Sequence, residues 1–140
     1  MATITVPASL IVTNVNATTV NLKVSYTLTP SLIEKLAGTV FQESIQAIGD
    51  DPGILSDIVV AAFPVQIFAV NAATISVVRD RNRNVLKSNM NEDSGFEATG
   101  AEQVDEVFAR VTLTYAANAP VVPTLPPPSN SNIVTGAWKG

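Results

Sequence analysis

The sequence predicts a mainly β protein: an antiparallel, β-sandwich-like body with one packed α-helix, followed by an extended C-terminal arm. Three observations carry this reading. Apolar and polar residues alternate strictly through Val20–Leu28 and Val107–Tyr115, the pattern of half-buried strands. Between Ser31 and Ile48 the spacing changes to threes and fours, as on an amphipathic helix. Five of the nine prolines fall between Pro120 and Pro128, where they deny ladder hydrogen bonds and favour polyproline II. The organisation expected is a globular domain over residues 1–118 and a proline-rich arm over residues 119–140, and 140 residues suffice for one core.

Taken in order, TITVPASLIV reads as strand, with Pro7 suited to an edge or a break. TNVNATT supplies turn chemistry before the alternating strand from Val20. The helix near residues 31–48 places Ile33, Leu36, Ala37, Val40, Ser44, Ile45 and Ile48 on one face. Ser31 and Glu34 form a capping box, Gly49 fits a C-terminal stop, and Gly38 inside the pattern costs about 1 kcal/mol relative to alanine. Asp50–Gly53 is a turn, and ILSDIVVAA fits either a short helix or a buried strand. PVQIFAV and ATISVVRD return to strand, with Asp80–Asn84 as the tip of a hairpin that comes back through Val85–Lys87. SNMNEDSGFEATGAEQ reads as a polar loop before the last strand, giving six or seven strands in all.

Composition excludes whole classes of chemistry. Without cysteine there are no disulfides, thiolate metal sites, iron–sulfur clusters or cysteine nucleophiles. Without histidine the commonest metal ligand and general base is also missing. A net charge of −4 argues against a nucleic-acid or anionic-membrane surface. MATITVPASLIV lacks the charged and apolar regions of an export leader, and ILSDIVVAAFPVQIFAV is too interrupted to span a membrane. Only 14 % of residues are charged, against about 25 % in an ordinary domain. Such a surface is expected to be covered by partners, including further copies of the chain.

The carboxylate groups at Asp50/Asp51/Asp57, Glu92/Asp93 and Glu102/Asp105/Glu106 lie in turns, a loop and a strand approach, where solvation opposes the raised pKa of a catalytic acid. Asp80–Asn84 departs from a calcium loop at Val85 and Asn91, where glycine and glutamate are needed. No phosphate loop occurs, and serine has no histidine partner. The expectation is therefore a non-enzyme with no cofactor, metal or small-molecule substrate.

Two sets of residues remain as partner-binding candidates. Arg79, Arg81 and Arg83 form a basic cluster suited to an acidic surface on a neighbouring subunit, or simply to a solvated hairpin. The arm combines a stiff spacer at Pro126, Pro127 and Pro128, a flexible SNSN joint, and apolar Ile133, Val134 and Trp138. Fully extended, the arm would reach roughly 65 Å. It reads foremost as an anchor for a groove or sheet edge on another subunit. Disorder, and packing back on its own body, remain open at this point.

In overall character the chain resembles the small accessory structural proteins of tailed-phage virions, the capsid decoration or cement proteins. The residues carrying the resemblance are TTVNLKVSYTL and EVFARVTLTYA in the β body, the absence of Cys and His, and PVVPTLPPPSNSNIVTGAWKG. It implies a dimer or trimer, assembled in the host cytoplasm, that ties major capsid subunits together within the virion. A phage tail or baseplate subunit and a glycan-binding β-sandwich are the alternatives.

Overall fold

A computed structural model describes residues 2–49, 58–90, 105–123, 125–136 and 138. Two antiparallel sheets face each other across a single core. One has the order β1-β2-β6, from β1 (Thr3–Asn14), β2 (Thr19–Thr29) and β6 (Val77–Leu86). The other is built on β3 (Val40–Gly49) and β7 (Asp105–Ala117), paired to each other over their length. On its far side β3 carries β4 (Ile58–Ala62) and β5 (Gln66–Ala69), and β7 carries β8 (Ser129–Asn130) and β9 (Val134–Gly136). The helices are short: α1 (Leu32–Ala37) and α2 (Lys87–Met90).

The alternation is physical, because successive side chains of a strand point to opposite faces. Val20, Leu22, Val24, Tyr26 and Leu28 of β2 are buried, as are Val107, Ala109, Val111 and Leu113 of β7. The antiparallel, sandwich-like body read from the sequence is the observed architecture.

The helix is shorter than its spacing suggests. The Ser31–Glu34 capping box forms as expected, but Gly38 takes the left-handed conformation (φ 64°) and closes the helix at Ala37. Residues 40–49 are strand, bonded to β7 on one side and to β4 and β5 on the other. The segment FQESIQA satisfies both periods, and two flanking ladders outweigh a six-residue helix. Ile33 and Leu36, expected to face the core, are exposed.

The hairpin tip at Asp80–Asn84 does not form either. β6 runs straight through it in unbroken register with β2, from Thr19↔Leu86 to Leu28↔Val77. The residues with turn propensity point outward and bond across the ladder: Asn21 Nδ2 to Asn84 Oδ1 at 3.0 Å, and Ser25 Oγ to Asp80 Oδ1 at 2.6 Å. The ambiguous ILSDIVVAA resolves at its C-terminal end as strand β4. The turn at Asp50–Gly53, most of the polar loop and most of the carboxylate candidates lie outside the described residues.

The arm folds back onto its own body. Ser131 N donates to Ala109 O and Ser131 Oγ accepts from Ala109 N, both at 2.8 Å. Ser129 Oγ accepts from Ala8 N at 3.1 Å, while Asn132 Oδ1 accepts from Leu10 N at 2.9 Å and its Nδ2 donates to Leu10 O at 3.2 Å. Short polar side chains thus answer backbone groups that an edge strand leaves unmet. Trp138 is 8 % exposed within the core cluster, its ring against Gly136.

Replacing Trp138 by alanine should lower stability by about 3 kcal/mol, the lower end for a buried aromatic, measured by urea unfolding. Gly136→Ala should act through the same ring, because a Cβ there would lie 2.8 Å from the indole. The expected sign is a red shift of Trp138 emission in the folded protein.

Candidate functional site

The most constrained chemistry in the molecule lies between the sheets, at Glu43. Its position in β3 follows from the pairing: Phe41, Glu43, Ile45 and Ala47 share the inner face, so one carboxylate is carried into the core with three apolar neighbours. The opposite sheet brings Tyr26 on β2 and, in register with it, Arg79 on β6. Arg81 stands two residues further along the same face.

Glu43 is 0 % exposed and is surrounded by donors. Arg79 donates through Nε to Oε2 at 2.9 Å and through Nη2 to Oε1 at 3.3 Å. Tyr26 Oη donates to Oε2, and Arg81 Nη1 donates to Oε1. The second sheet completes the cluster from its edge. Two residues of β3, Ser44 and Ile45, face three of the neighbouring crossing, Phe63, Pro64 and Val65, so the edge bulges between β4 and β5. The bulge aims Pro64 O at Arg81 Nη2 (2.9 Å) and tucks Phe63 into the core. Gln66 Oε1 accepts from Arg79 Nη2 at 3.0 Å, and the Arg79 guanidinium lies 4.7 Å from the Phe68 ring centre.

These contacts set the protonation states. Burial pushes Glu43 up, but the hydrogen bonds from Arg79 and Tyr26, with the Arg79 charge, outweigh it and hold the carboxyl below its ordinary value. Tyr26 is pushed well above the usual phenol range by burial first and by the Glu43 carboxylate second. A carboxylate whose oxygens already accept three donor groups, shut from solvent, is built to hold two sheets rather than to exchange protons with a substrate.

The arginine cluster read from the sequence is therefore divided. Arg79 and Arg81 turn inward to Glu43, and Arg83, two residues on, is exposed opposite Leu22. Of the arm residues, Trp138 and Pro126 are buried, Val134 is half-buried against the core, and Pro127, Pro128 and Ile133 are exposed. In sequence Glu43 is masked by the helical spacing of the residues around it, and Tyr26 by its place among the apolar residues of an alternating strand. An acidic residue at an inward position of an alternating segment was the available signal.

A second carboxylate is also enclosed. Glu34 accepts from Ser31 N at 2.8 Å and Ser31 Oγ at 3.0 Å, and from Tyr115 Oη at 2.7 Å. It roots α1 on β7 while Leu32, Ile33 and Leu36 face solvent, Leu36 at 69 % exposure. The same end gathers two further connections, because Thr39 Oγ1 donates to Asn118 O (2.8 Å) and Val70 N to Thr39 O (3.0 Å). These bring exposed Val121 and Val122, and on the β5–β6 connection Ile75, to the end capped by α1.

Among the described residues no group of three or more acidic side chains is placed to hold a metal ion, and no helix is long and apolar enough to cross a membrane. No protein-family model and no curated protein matches the chain. Among solved structures it is similar to a solution structure of the Arabidopsis thaliana protein AT1g01470, with a TM-score of 0.47 and 7 % identity, covering 97 % of this chain and 80 % of that one.

Glu43→Gln should cost about 3 kcal/mol, because it leaves two guanidinium groups without their counter-charge; Tyr26→Phe should cost about 2 kcal/mol for one hydrogen bond to a charged acceptor. Both are read from urea midpoints. The pH dependence has a defined sign. The lowered Glu43 contributes stability above the ordinary carboxylate value of 4.5, lost as pH falls through its folded value. The raised Tyr26 contributes below the ordinary phenol value of 10.0, and that stability declines as pH climbs beyond it. Unfolding midpoints should fall at both extremes, and Tyr26→Phe should flatten the alkaline fall.

Proposed function

We propose that the chain is a non-enzymatic structural subunit of a capsid-decoration kind, docking by its α1 end onto the subunits of a virion shell. The observation that carries this reading is the exposure of Leu32, Ile33 and Leu36 on a helix whose own carboxylate, Glu34, is enclosed beneath it. A helix that faced only solvent would gain nothing from three large apolar side chains, whereas apolar side chains on a rigid platform suit a protein interface. Val121, Val122 and Ile75 extend the apolar character of that end. The scarcity of charge supports the same reading, since Glu43, Arg79 and Arg81 are committed to the interior rather than to solubility.

The docking element in this reading is α1 rather than Trp138, which the body itself encloses. Many copies on one lattice add their modest contacts through effective concentration. The subunit's partners are the major shell protein and further copies of itself, as a dimer or trimer.

A Leu32→Glu/Leu36→Glu variant tests the reading. Both positions are exposed, so its unfolding midpoint should stay within about 0.5 kcal/mol of the parent. Losing two anchors at about 1.5 kcal/mol each should weaken co-sedimentation with purified shells about 100-fold. Equal binding by parent and variant would refute the α1 end as the docking surface.

A further inference from the structure

The cleft between the outer edges of β1 and β7 is filled by the chain's own arm, and what it recognises can be stated group by group. β1 offers Ala8 N, Leu10 N and Leu10 O; β7 offers Ala109 N and O and the ladder positions opposite β8 and β9. The arm answers with Ser129, Ser131 and Asn132 side chains, two short ladders and the Trp138 ring. None of these contacts depends on the arm belonging to the same molecule.

The geometry points to an exchange site: we propose that this cleft also accepts the arm, from Leu125 to Trp138, of a second copy, giving a reciprocal dimer with crossed arms. Three features of the arm favour exchange over a permanent internal closure. First, the pivot is defined. Asn118 is fixed to the body by Thr39 Oγ1 and Gly38 O, with left-handed φ 53°, and Pro120 is buried. After it Val121 is 100 % exposed, and Val122 and Pro123 are also exposed. Second, the seat is incomplete: an open groove of about 300 Å³ is lined by Ala2, Thr3 and Ile4 on one side and Pro126–Ser129 on the other. Packing lost there on release is correspondingly small. Third, Pro123 stiffens the connection and Pro126–Pro128 the start of the arm itself, which limits the entropy lost when the arm is ordered on a neighbour. Because the contacts are the same in both states, the balance is set by pivot stiffness and protein concentration, and reciprocal exchange closes into a two-fold dimer.

This inference does not rest on the virion reading, and it uses the β1–β7 side of the body rather than the α1 end. The chain has no cysteine, so each introduced thiol is unique. Full-length Ala8→Cys and Ser129→Cys copies, one carrying a mass tag, would be mixed over a range of concentrations, oxidised and separated without reductant. Ala8 lies beneath the arm and is 6 % exposed, so its thiol meets Ser129→Cys of another copy only when that copy's arm takes the seat. The expected result is a mixed disulfide dimer several-fold above the like-with-like dimers of each variant alone. It should increase with concentration and persist in the Leu32→Glu/Leu36→Glu background, which separates it from docking by α1. The single chain carrying both cysteines should close internally on dilution. Internal closure with no mixed dimer at any concentration would overturn the proposal. So would failure of the double variant to close, because the seat itself would then be absent.

Discussion

Everything in this fold is arranged around one buried carboxylate with no place in a hydrocarbon core. Taking Glu43 out of water costs several kcal/mol unless charge and hydrogen bonds are restored; the restoring groups come from two strands of the opposite sheet, and one of them is held in turn by the edge of the second sheet. Tyr26 fixes β2, Arg79 and Arg81 fix β6, and the bulge at Phe63–Pro64 fixes the outer edge of the second sheet. A slip of one residue in any ladder would turn one of these groups to solvent and leave a charge stranded. Apolar packing sets how much the two sheets attract; the cluster sets where they stop sliding.

That division of labour explains what the sequence made legible. Alternation around Val24 and Val111 identified β2 and β7, their inner faces and the sandwich class, because burial on one face leaves a period of two. The failures have a common origin, since local pattern was judged without the ladder that overrides it. FQESIQAI fits a helix and a strand equally well, and the ladders to β7, β4 and β5 decide. DRNRN has the composition of a turn, yet its outward Asp80 and Asn84 pair with Ser25 and Asn21, while Arg81, with Arg79 just before the segment, reaches a carboxylate 38 and 36 residues away.

The arm misled for a different reason. Proline and a terminal tryptophan do describe a spacer with an anchor, and the sequence contained both. It did not reveal that the receiving edge lies on the same molecule. By sequence Ser129, Ser131 and Asn132 resemble a flexible joint, because small polar residues are common in linkers. Here they act as backbone surrogates, each reaching a peptide group of β1 or β7.

The bulge between β4 and β5 also affects how the folded protein behaves in a crowd of its own copies. A sheet edge is a template for another strand, and a two-sheet body has four. The β4–β5 edge is interrupted by Pro64 and the extra residue beside it; β1 is irregular between Ile4 and Ser9 and carries Pro7. β6 sets Arg83 and Asp80 along its length. Only β7, the longest strand at 13 residues, lacks a device of its own, and the arm covers it. Loss of the Ser129–Gly136 segment would therefore uncover the most adhesive of these edges, so that resistance to aggregation is only as durable as that covering segment.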